Sequence, residues 1–306
     1  MSAEQEMVRA DRVTTEGDDL YYEVRGQGQP LLMIAGGGGD SWWYSPVADI
    51  LSDEFKVIIY DRSGNSRSTM NEPQNFEISR EGRDAVAVLD AAGEESAFVL
   101  GSSGGAVVAL SMAETQPQAV RAVVVHEPPT ARVHPKARKW RRFFAGIHLM
   151  TFRYGVGFGI PMAALRFALR VGLPIRVMAK GAKEERLYRK ESSERYISSE
   201  DASKFWAEQQ LLPTTNYMPD IERIKRHGVK IFMAAGKTSL DKKRFYAETV
   251  PILAEKLGCE MVVFPGHHVS YWDMPDEWSA ALRNVLHKAE LSDPCLSERP
   301  DSLRDG

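Results

Sequence analysis

The sequence has little of what marks several protein classes. Its 306 residues include two cysteines, Cys259 and Cys295, which are too few and too far apart for a disulfide framework or a metal site. A formal net charge of −3 gives no electrostatic basis for binding nucleic acid. No apolar run reaches the roughly 18 residues of a membrane span, and MSAEQEMVRADR lacks the layout of a signal peptide. These absences predict a soluble cytoplasmic protein.

The glycine-rich segment from Gly36 to Gly39 also lacks the residues of a nucleotide site. No lysine follows it as in a phosphate-binding P-loop, and no Gly-x-Gly-x-x-Gly pattern opens a helix. Nucleotide binding is therefore disfavoured, and we expect neither a cofactor nor a metal ion.

The most informative segment places Ser103 at the centre of a Gly-x-Ser-x-Gly pattern, Gly101 to Gly105. An apolar run of strand length, Ser96 to Leu100, precedes it, and a helix-compatible run, Ala106 to Thr115, follows. A serine on a sharp turn from strand to helix is held in a strained conformation that exposes its hydroxyl. The flanking glycines remove the Cβ atoms that such a tight turn cannot accommodate. The pattern predicts that Ser103 is a nucleophile, with a glycine-rich turn as the alternative interpretation.

Apolar strands alternate with helix-compatible segments on both sides of this turn. The predicted strands are 19–25, 30–35, 56–60, 96–100, 121–126, 229–235 and 260–264, and the predicted helices are 46–52, 78–92, 106–115, 244–257 and 276–289. This order predicts an α/β fold with a mostly parallel sheet and helices on both faces. We divide the chain into a core domain (1–129 and 228–290), an inserted helical cap (130–227) and a flexible tail (291–306).

Several reactive or glycine-rich segments follow directly after predicted strands. They are Gly36–Gly39, Ser103, Glu127, Gly236 and His268. In open α/β sheets the site lies beyond the carboxyl ends of the strands, so these residues are expected to converge. His268 follows the last strand and can serve as the base that a serine nucleophile needs, with the neighbouring His267 as the second choice.

At these residues the chain resembles the α/β-hydrolase family, whose catalytic residues follow the order nucleophile, acid, histidine. The resemblance covers about residues 15–290 and implies a helical cap after the strand that the family counts as its sixth, which is the predicted strand 121–126 here. More narrowly, three short segments are similar to those of fungal lactonases that open the macrocyclic ester of zearalenone. They are Ser102-Ser103-Gly104-Gly105, His126-Glu127 and Gly266-His267-His268-Val269-Ser270-Tyr271.

The resemblance leaves two candidates for the acid that orients the histidine. Many family members carry an aspartate three residues after the glycine that ends the seventh strand, but this chain has Ser239 there, and Asp241 lies two residues further on. The lactonase-like members place the acid after the sixth strand, which corresponds to Glu127. We favour Glu127 for its position at a strand end and keep Asp241 as the alternative acid.

The glycine segment is expected to stabilise the negative charge that develops on a carbonyl oxygen during acyl transfer. By the family resemblance, the oxyanion-hole donors are the backbone amides of Gly37 and Gly104, with Gly38 as a further candidate. Trp42 and Trp43 follow this loop and are expected either to line the substrate pocket or to pack outside it.

The cap segment combines a basic cluster with apolar residues. The cluster consists of Lys136, Arg138, Lys139, Arg141 and Arg142. One interpretation is an amphipathic surface that contacts an anionic membrane or a lipid-like substrate. We prefer the interpretation of a helical cap whose apolar face closes a hydrophobic pocket and whose basic face is solvated, because membrane binding usually needs a second anchor. The sequence leaves the oligomeric state open, with a homodimer through the cap as one arrangement.

These observations predict a cofactor-free serine hydrolase of carboxylic esters or lactones with a hydrophobic body, of the carboxylesterase or mycotoxin-type lactonase class. Ser103 attacks, His268 transfers the proton and Glu127 orients the histidine. Two alternatives on the same scaffold are a cofactor-independent oxygenase or perhydrolase and a ligand-binding receptor without turnover.

Overall fold

Eight strands form one sheet in the computed structural model, which describes residues 8–291. The strands are β1 (Arg9–Thr15), β2 (Asp18–Arg25), β3 (Gln29–Ile34), β4 (Phe55–Tyr60), β5 (Ala97–Ser102), β6 (Val120–His126), β7 (Lys230–Gly236) and β8 (Glu260–Phe264). Their order across the sheet is β1-β2-β4-β3-β5-β6-β7-β8. Of the predicted tail, residues 292–306 lie outside the described part of the chain.

The sheet is parallel from β4 to β8, while β1 pairs antiparallel with β2 and β2 pairs antiparallel with β4. In the parallel part, the register aligns Ile34 with Gly101, Ser102 with His126, and His126 with Ala234. The carboxyl ends of β3, β5, β6 and β7 therefore meet at one edge of the sheet. The predicted fold class is confirmed.

The first strand, β1, was not predicted from the sequence. Its residues, RADRVTT, are mostly polar and exposed, so they lack the apolar alternation that marks a half-buried strand. The strand is held by its backbone pairing with β2, from Arg9 opposite Val24 to Thr15 opposite Asp18. It forms the edge of the sheet, where polar side chains limit pairing with other chains.

Helices cover both faces of the sheet. They are α1 (Ser45–Leu51), α2 (Ile78–Ala91), α3 (Gly104–Thr115), α4 (Ala137–Tyr154), α5 (Ile160–Val171), α6 (Ile175–Glu191), α7 (Ser199–Phe205), α8 (Leu211–Asn216), α9 (Ile221–His227), α10 (Lys237–Asp241), α11 (Phe245–Leu257), α12 (Ser270–Asp273) and α13 (Pro275–Leu291). Alternate residues of β3 enter two different cores: Leu32 and Ile34 pack with α2 and α3, and Leu31 and Met33 pack with α1 and α13. Because successive side chains of a strand point to opposite faces, both faces are buried.

The chain between β6 and β7 is helical and contains α4 to α9, with no strand within residues 130–227. Two π-helical turns, Gly155–Gly159 and Trp206–Gln210, interrupt these helices. We call residues 137–227 the helical segment; its description as a separate cap domain stays a prediction. Within residues 8–291, no helix is both long and apolar enough to cross a membrane.

Candidate active site

Ser103 lies on the turn between β5 and α3 in a strained backbone conformation, with φ 56° and ψ −119°. This turn brings α3 so close to the sheet that a Cβ on Gly105 would lie 2.0 Å from the Ile34 carbonyl oxygen. A Cβ on Gly101 would lie 2.2 Å from the carbonyl oxygen of Gly105. The Ser103 N–H donates to the His126 carbonyl oxygen at 2.9 Å. The two glycines are therefore a steric requirement of the turn that presents Ser103.

Glu127 and His268 are in direct contact at the ends of β6 and β8. The Nδ1 atom of His268 lies 2.6 Å from Oε2 of Glu127. Oε1 of Glu127 accepts a hydrogen bond of 2.9 Å from the Gly236 N–H at the end of β7. With both oxygens occupied and the carboxyl fully buried, Glu127 can fix the tautomer and the orientation of the imidazole.

Opposing influences act on the protonation of this buried carboxyl. Burial favours the neutral acid, but the imidazoles of His126 and His268 and the Gly236 N–H hold the pKa of Glu127 below its ordinary value. Burial also lowers the pKa of His126 to about 4, with the nearby Glu127 opposing this shift. At neutral pH, Glu127 is therefore a carboxylate and His126 an uncharged imidazole.

The alternative acid lies elsewhere. Asp241 is on α10 with a side chain that is 61% exposed, and it pairs with Lys237 at 3.1 Å. Ser239, two residues before it, is buried. His267, the second choice for the base, is bound by its Nδ1 to Ser270 at 3.1 Å and by its Nε2 to Asp273 at 3.2 Å. The structure brings Glu127, and not Asp241, to His268.

The glycine loop after β3 packs against the nucleophile turn. A Cβ on Gly36 would lie 2.9 Å from that of Ser103, and a Cβ on Gly104 would lie 3.7 Å from the Gly37 nitrogen. The two predicted oxyanion donors, Gly37 and Gly104, are thus neighbours across the turn. Arg62 secures this loop by donating from Nη2 to the Gly36 carbonyl oxygen at 2.7 Å.

Arg62 is itself held in place by a buried ion pair. Its Nη1 donates to Oε2 of Glu81 at 2.7 Å, and both side chains are almost fully buried. Its backbone N–H donates to the Gly39 carbonyl oxygen at 2.9 Å. The loop after β4 therefore fixes the glycine loop at two carbonyl groups, which limits the movement of the amides between them.

Ser103 and His268 face one cavity of about 480 Å3. Its wall is mainly apolar and aromatic. The helical segment contributes Phe167, Met178 and Trp206, and the helices α11 and α12 contribute Phe245, Tyr246 and Tyr271. Trp43 lines the cavity, whereas Trp42 lies behind it and packs against Trp43 and Trp272 at ring-centroid distances of 5.7 and 6.2 Å.

Within the described residues, no hydrogen bond joins the Ser103 hydroxyl to His268, although both side chains line the cavity. Catalytic hydrogen bonds are often long or misaligned in unliganded enzymes. The neighbouring Ser102 has a different environment: its hydroxyl lies 2.8 Å from Nδ1 of His126, and both residues are fully buried. Ser102 and Ser103 therefore point into different surroundings, and Ser103 is the serine of this pair that faces the cavity.

Sequence reasoning missed several residues that shape the site. The Tyr246 ring lies 4.0 Å from the His268 ring, between ring centroids, and the indole nitrogen of Trp206 lies 3.5 Å from where a Gly37 Cβ would be. Arg62 lies in the loop that follows β4. Its place directly after a buried strand was the available signal, whereas Trp206 and Tyr246 carry no local pattern. Within residues 8–291, no cluster of three or more His, Cys, Asp or Glu side chains is suited to hold a metal ion.

Residues 29–167 match the model of a protein family described by the α/β hydrolase fold. The chain is similar to this family over that range and has its fold. An uncharacterized hydrolase of Bacillus subtilis, YraK, is 29% identical over 280 residues, which cover 89% of this chain and 94% of that protein. A zearalenone hydrolase of Cladophialophora bantiana is 35% identical over 130 residues, 41% of this chain and 49% of that protein.

Among solved α/β-hydrolase-like structures, the enol-lactonase of Burkholderia xenovorans LB400 superposes with a TM-score of 0.66 and 16% identity. The match covers 90% of this chain and all of that one. At such low identity, the likeness concerns the fold. The comparisons confirm the predicted resemblance to the α/β-hydrolase family and the prediction of a hydrolase.

Proposed function

We propose that this α/β hydrolase cleaves carboxylic esters or lactones with an apolar body through an acyl-enzyme. The observation that carries the proposal is the contact of 2.6 Å between the buried Glu127 and His268, which lines the cavity that Ser103 faces. A serine hydroxyl is a weak nucleophile until a positioned base accepts its proton, and such a base needs a group that holds its tautomer. The three residues have these complementary properties.

The reaction would proceed in two halves. Ser103 Oγ attacks the carbonyl carbon as its proton passes to Nε2 of His268, and the amides of Gly37 and Gly104 hold the resulting oxyanion. The C–O bond to the alcohol then breaks, and His268 returns the proton to the leaving oxygen. In the second half, water attacks the acyl-enzyme with His268 as base, which releases the acid and restores Ser103. A lactone yields one hydroxy acid, because both products stay joined.

The cavity supports an apolar substrate. Its walls carry few charged groups, and of these Asp40 is paired with Arg189 and Arg62 with Glu81. Binding of an apolar ligand against an apolar wall is favourable because it removes both surfaces from water. The similarity to a zearalenone hydrolase over part of the chain supports including lactones among the candidate substrates.

The test combines an active-site probe with a substrate panel. A fluorophosphonate, which reacts with activated serines, is expected to label the wild-type protein and not the Ser103→Ala variant. A panel of esters and lactones graded by size and apolarity then defines the substrate class. Equal labelling of the wild type and Ser103→Ala would contradict the proposed nucleophile. Oxygen uptake without ester turnover, or tight ligand binding without any turnover, would point to the two alternative functions.

A further inference from the structure

The cavity wall contains a buried amide without a partner. Gln210 borders the cavity in which Ser103 lies, and its side chain is only 2% exposed. Neither its Nε2 nor its Oε1 has a hydrogen-bond partner within the described residues. Leaving a buried polar group without a hydrogen bond is destabilising. Such a side chain at the wall of a binding cavity calls for a ligand group that completes its hydrogen bonds.

The charged side chains of this wall already have hydrogen-bond partners. Asp40 accepts from Arg189 at 2.7 Å and from the Trp42 N–H at 2.8 Å. Arg62 donates to Glu81 and to the Gly36 carbonyl oxygen, and of its buried nitrogens Nε has no partner within the described residues. Of the described residues around the cavity, Gln210 is the buried side chain with both a free donor and a free acceptor.

The backbone around Gln210 is itself unusual. Gln210 ends the π-helical turn Trp206–Gln210 between α7 and α8, in which the Leu211 N–H donates to the Trp206 carbonyl oxygen. A π-turn adds a residue to the helix and changes which side chains share a face, and such turns occur frequently at functional sites. Here, Trp206, Gln210 and Leu211 all reach the cavity.

We propose that Gln210 binds a neutral hydroxyl or carbonyl group on the apolar body of the substrate, away from the bond that is cleaved. A carboxamide both donates and accepts, which suits such groups, whereas a charged group would enter an apolar wall without a free counter-charge. This inference rests on the proposed function and specifies the substrate as an oxygenated apolar ester or lactone. Gln210 is then a specificity residue and not a catalytic one.

The test uses p-nitrophenyl esters of one straight-chain acid, unsubstituted or carrying a single hydroxyl or keto group at successive carbons. Wild-type protein is expected to prefer one oxygenated ester over the unsubstituted ester by about tenfold to a hundredfold in kcat/KM, since an unpaired buried amide penalises the plain ester. Gln210→Leu is expected to abolish that preference. Its melting temperature should not fall, because the change replaces an unsatisfied amide with an apolar side chain of similar size.

Met178→Leu is the matched control, because Met178 lines the same cavity without a polar group. This variant should change the turnover of the oxygenated and plain esters alike, so their ratio stays that of the wild type. No preference for any oxygenated ester in the wild type, or a preference that survives Gln210→Leu, would overturn the assignment and indicate that Gln210 is merely hydrated.

A binding experiment separates this inference from the proposed hydrolysis. Calorimetric titration of Ser103→Ala, with and without Gln210→Leu, measures affinity for the same esters without turnover. Preferential binding of an oxygenated ester that depends on Gln210 supports the inference even if the wild type hydrolyses none of the esters. Equal binding of all the esters would reject it, whatever the fluorophosphonate probe shows at Ser103.

Discussion

The two sides of the cavity are built in different ways. On the strand side, the groups next to the proposed reaction are held by several short contacts: Glu127 by His268 and the Gly236 N–H, and the glycine loop by Arg62. On the helical side, the wall consists mostly of apolar and aromatic side chains, together with a buried glutamine that has no partner within the described chain.

This difference teaches which parts of the site are fixed before substrate arrives. Catalytic groups must be held to within a fraction of an ångström, so their hydrogen bonds are satisfied inside the protein. Groups that select a substrate must instead keep bonding capacity for it, at some cost to stability. A test of this contrast is to disturb each side and compare the loss of rate with the change in selectivity.

The largest effect is expected at the acid. Glu127→Gln keeps the size of the side chain but removes the charge that stabilises the imidazolium and the acceptor that fixes its tautomer, so kcat should fall by about 10⁴-fold. Turnover of an activated ester by Glu127→Gln and by Asp241→Asn measures this directly. Asp241 lies at the surface and pairs with Lys237, so its variant should retain wild-type turnover. The reverse result would make Asp241 the acid.

A smaller loss of kcat is expected when the glycine loop is no longer held in place. Arg62→Met removes the hydrogen bond to the Gly36 carbonyl oxygen and leaves Glu81 unpaired, so the Gly37 amide should move from the oxyanion position. Loss of one such donor costs about 10²–10³-fold in kcat.

The control for Arg62→Met is Arg80→Met, because Arg80 also has a buried ion pair, with Asp18, but does not border the cavity. Both variants are assayed below their melting temperatures, and KM is compared with kcat. If Arg80→Met lowers kcat as strongly as Arg62→Met, the effect is a general loss of stability and the positioning role is wrong.

Asp40 and Arg189 join the two sides of the cavity, and the contribution of Asp40 to stability should depend on pH. Asp40 of the glycine loop pairs with Arg189 of α6, and burial, with Asp61 and Glu185 nearby, raises the pKa of Asp40 to about 7 despite that arginine. A raised pKa means that the folded state binds the proton more tightly. The contribution of Asp40 to stability is therefore complete below its unfolded pKa, near 3.8, and is lost as the pH rises towards 7.

Urea unfolding across this pH range measures the effect. Between about pH 4 and 7, the slope of the unfolding free energy with pH should be more positive in Asp40→Asn than in the wild type, by up to about 1.4 kcal/mol per pH unit. Asp84→Asn is the comparison, since the pKa of Asp84 is also raised to about 7, mainly by burial, while its hydrogen bond is to Ser63. An unchanged slope in Asp40→Asn would show that Asp40 ionises normally.

The smallest effect is expected at the apolar wall. Trp43 lines the cavity and packs so closely on α6 that a Cβ on Gly181 would lie 2.4 Å from its ring. Trp43→Phe shortens the side chain, and we expect kcat/KM for small and bulky esters to change in opposite directions by about tenfold or less. Trp42→Phe, behind the wall, should leave their ratio unchanged. Equal responses from both tryptophan variants would argue against a selective role for Trp43.

Much of the strand side could be predicted from local sequence. The strain at Ser103 follows from glycines at fixed positions, and the buried strands follow from their apolar runs, because both signals lie within a few residues. Strand β1 was not predicted because backbone pairing with β2, and not an apolar pattern, holds it in the sheet. The strand-end position favoured Glu127 over Asp241, but the contact of Glu127 with His268 needed the structure, since the two residues are far apart in the chain.

On the helical side, local sequence says little about which side chains reach the cavity. Trp206, Gln210 and Leu211 share the wall at a π-turn, and Trp43 reaches it while Trp42 does not. The sequence by itself determined the parallel sheet, the turn at Ser103 and the edge at which the reactive residues gather. Only the tertiary structure decided that Glu127 contacts His268, that Arg62 holds the glycine loop and that Gln210 lies unpaired at the cavity. Those contacts join residues far apart in the chain, and their geometry depends on how the elements pack.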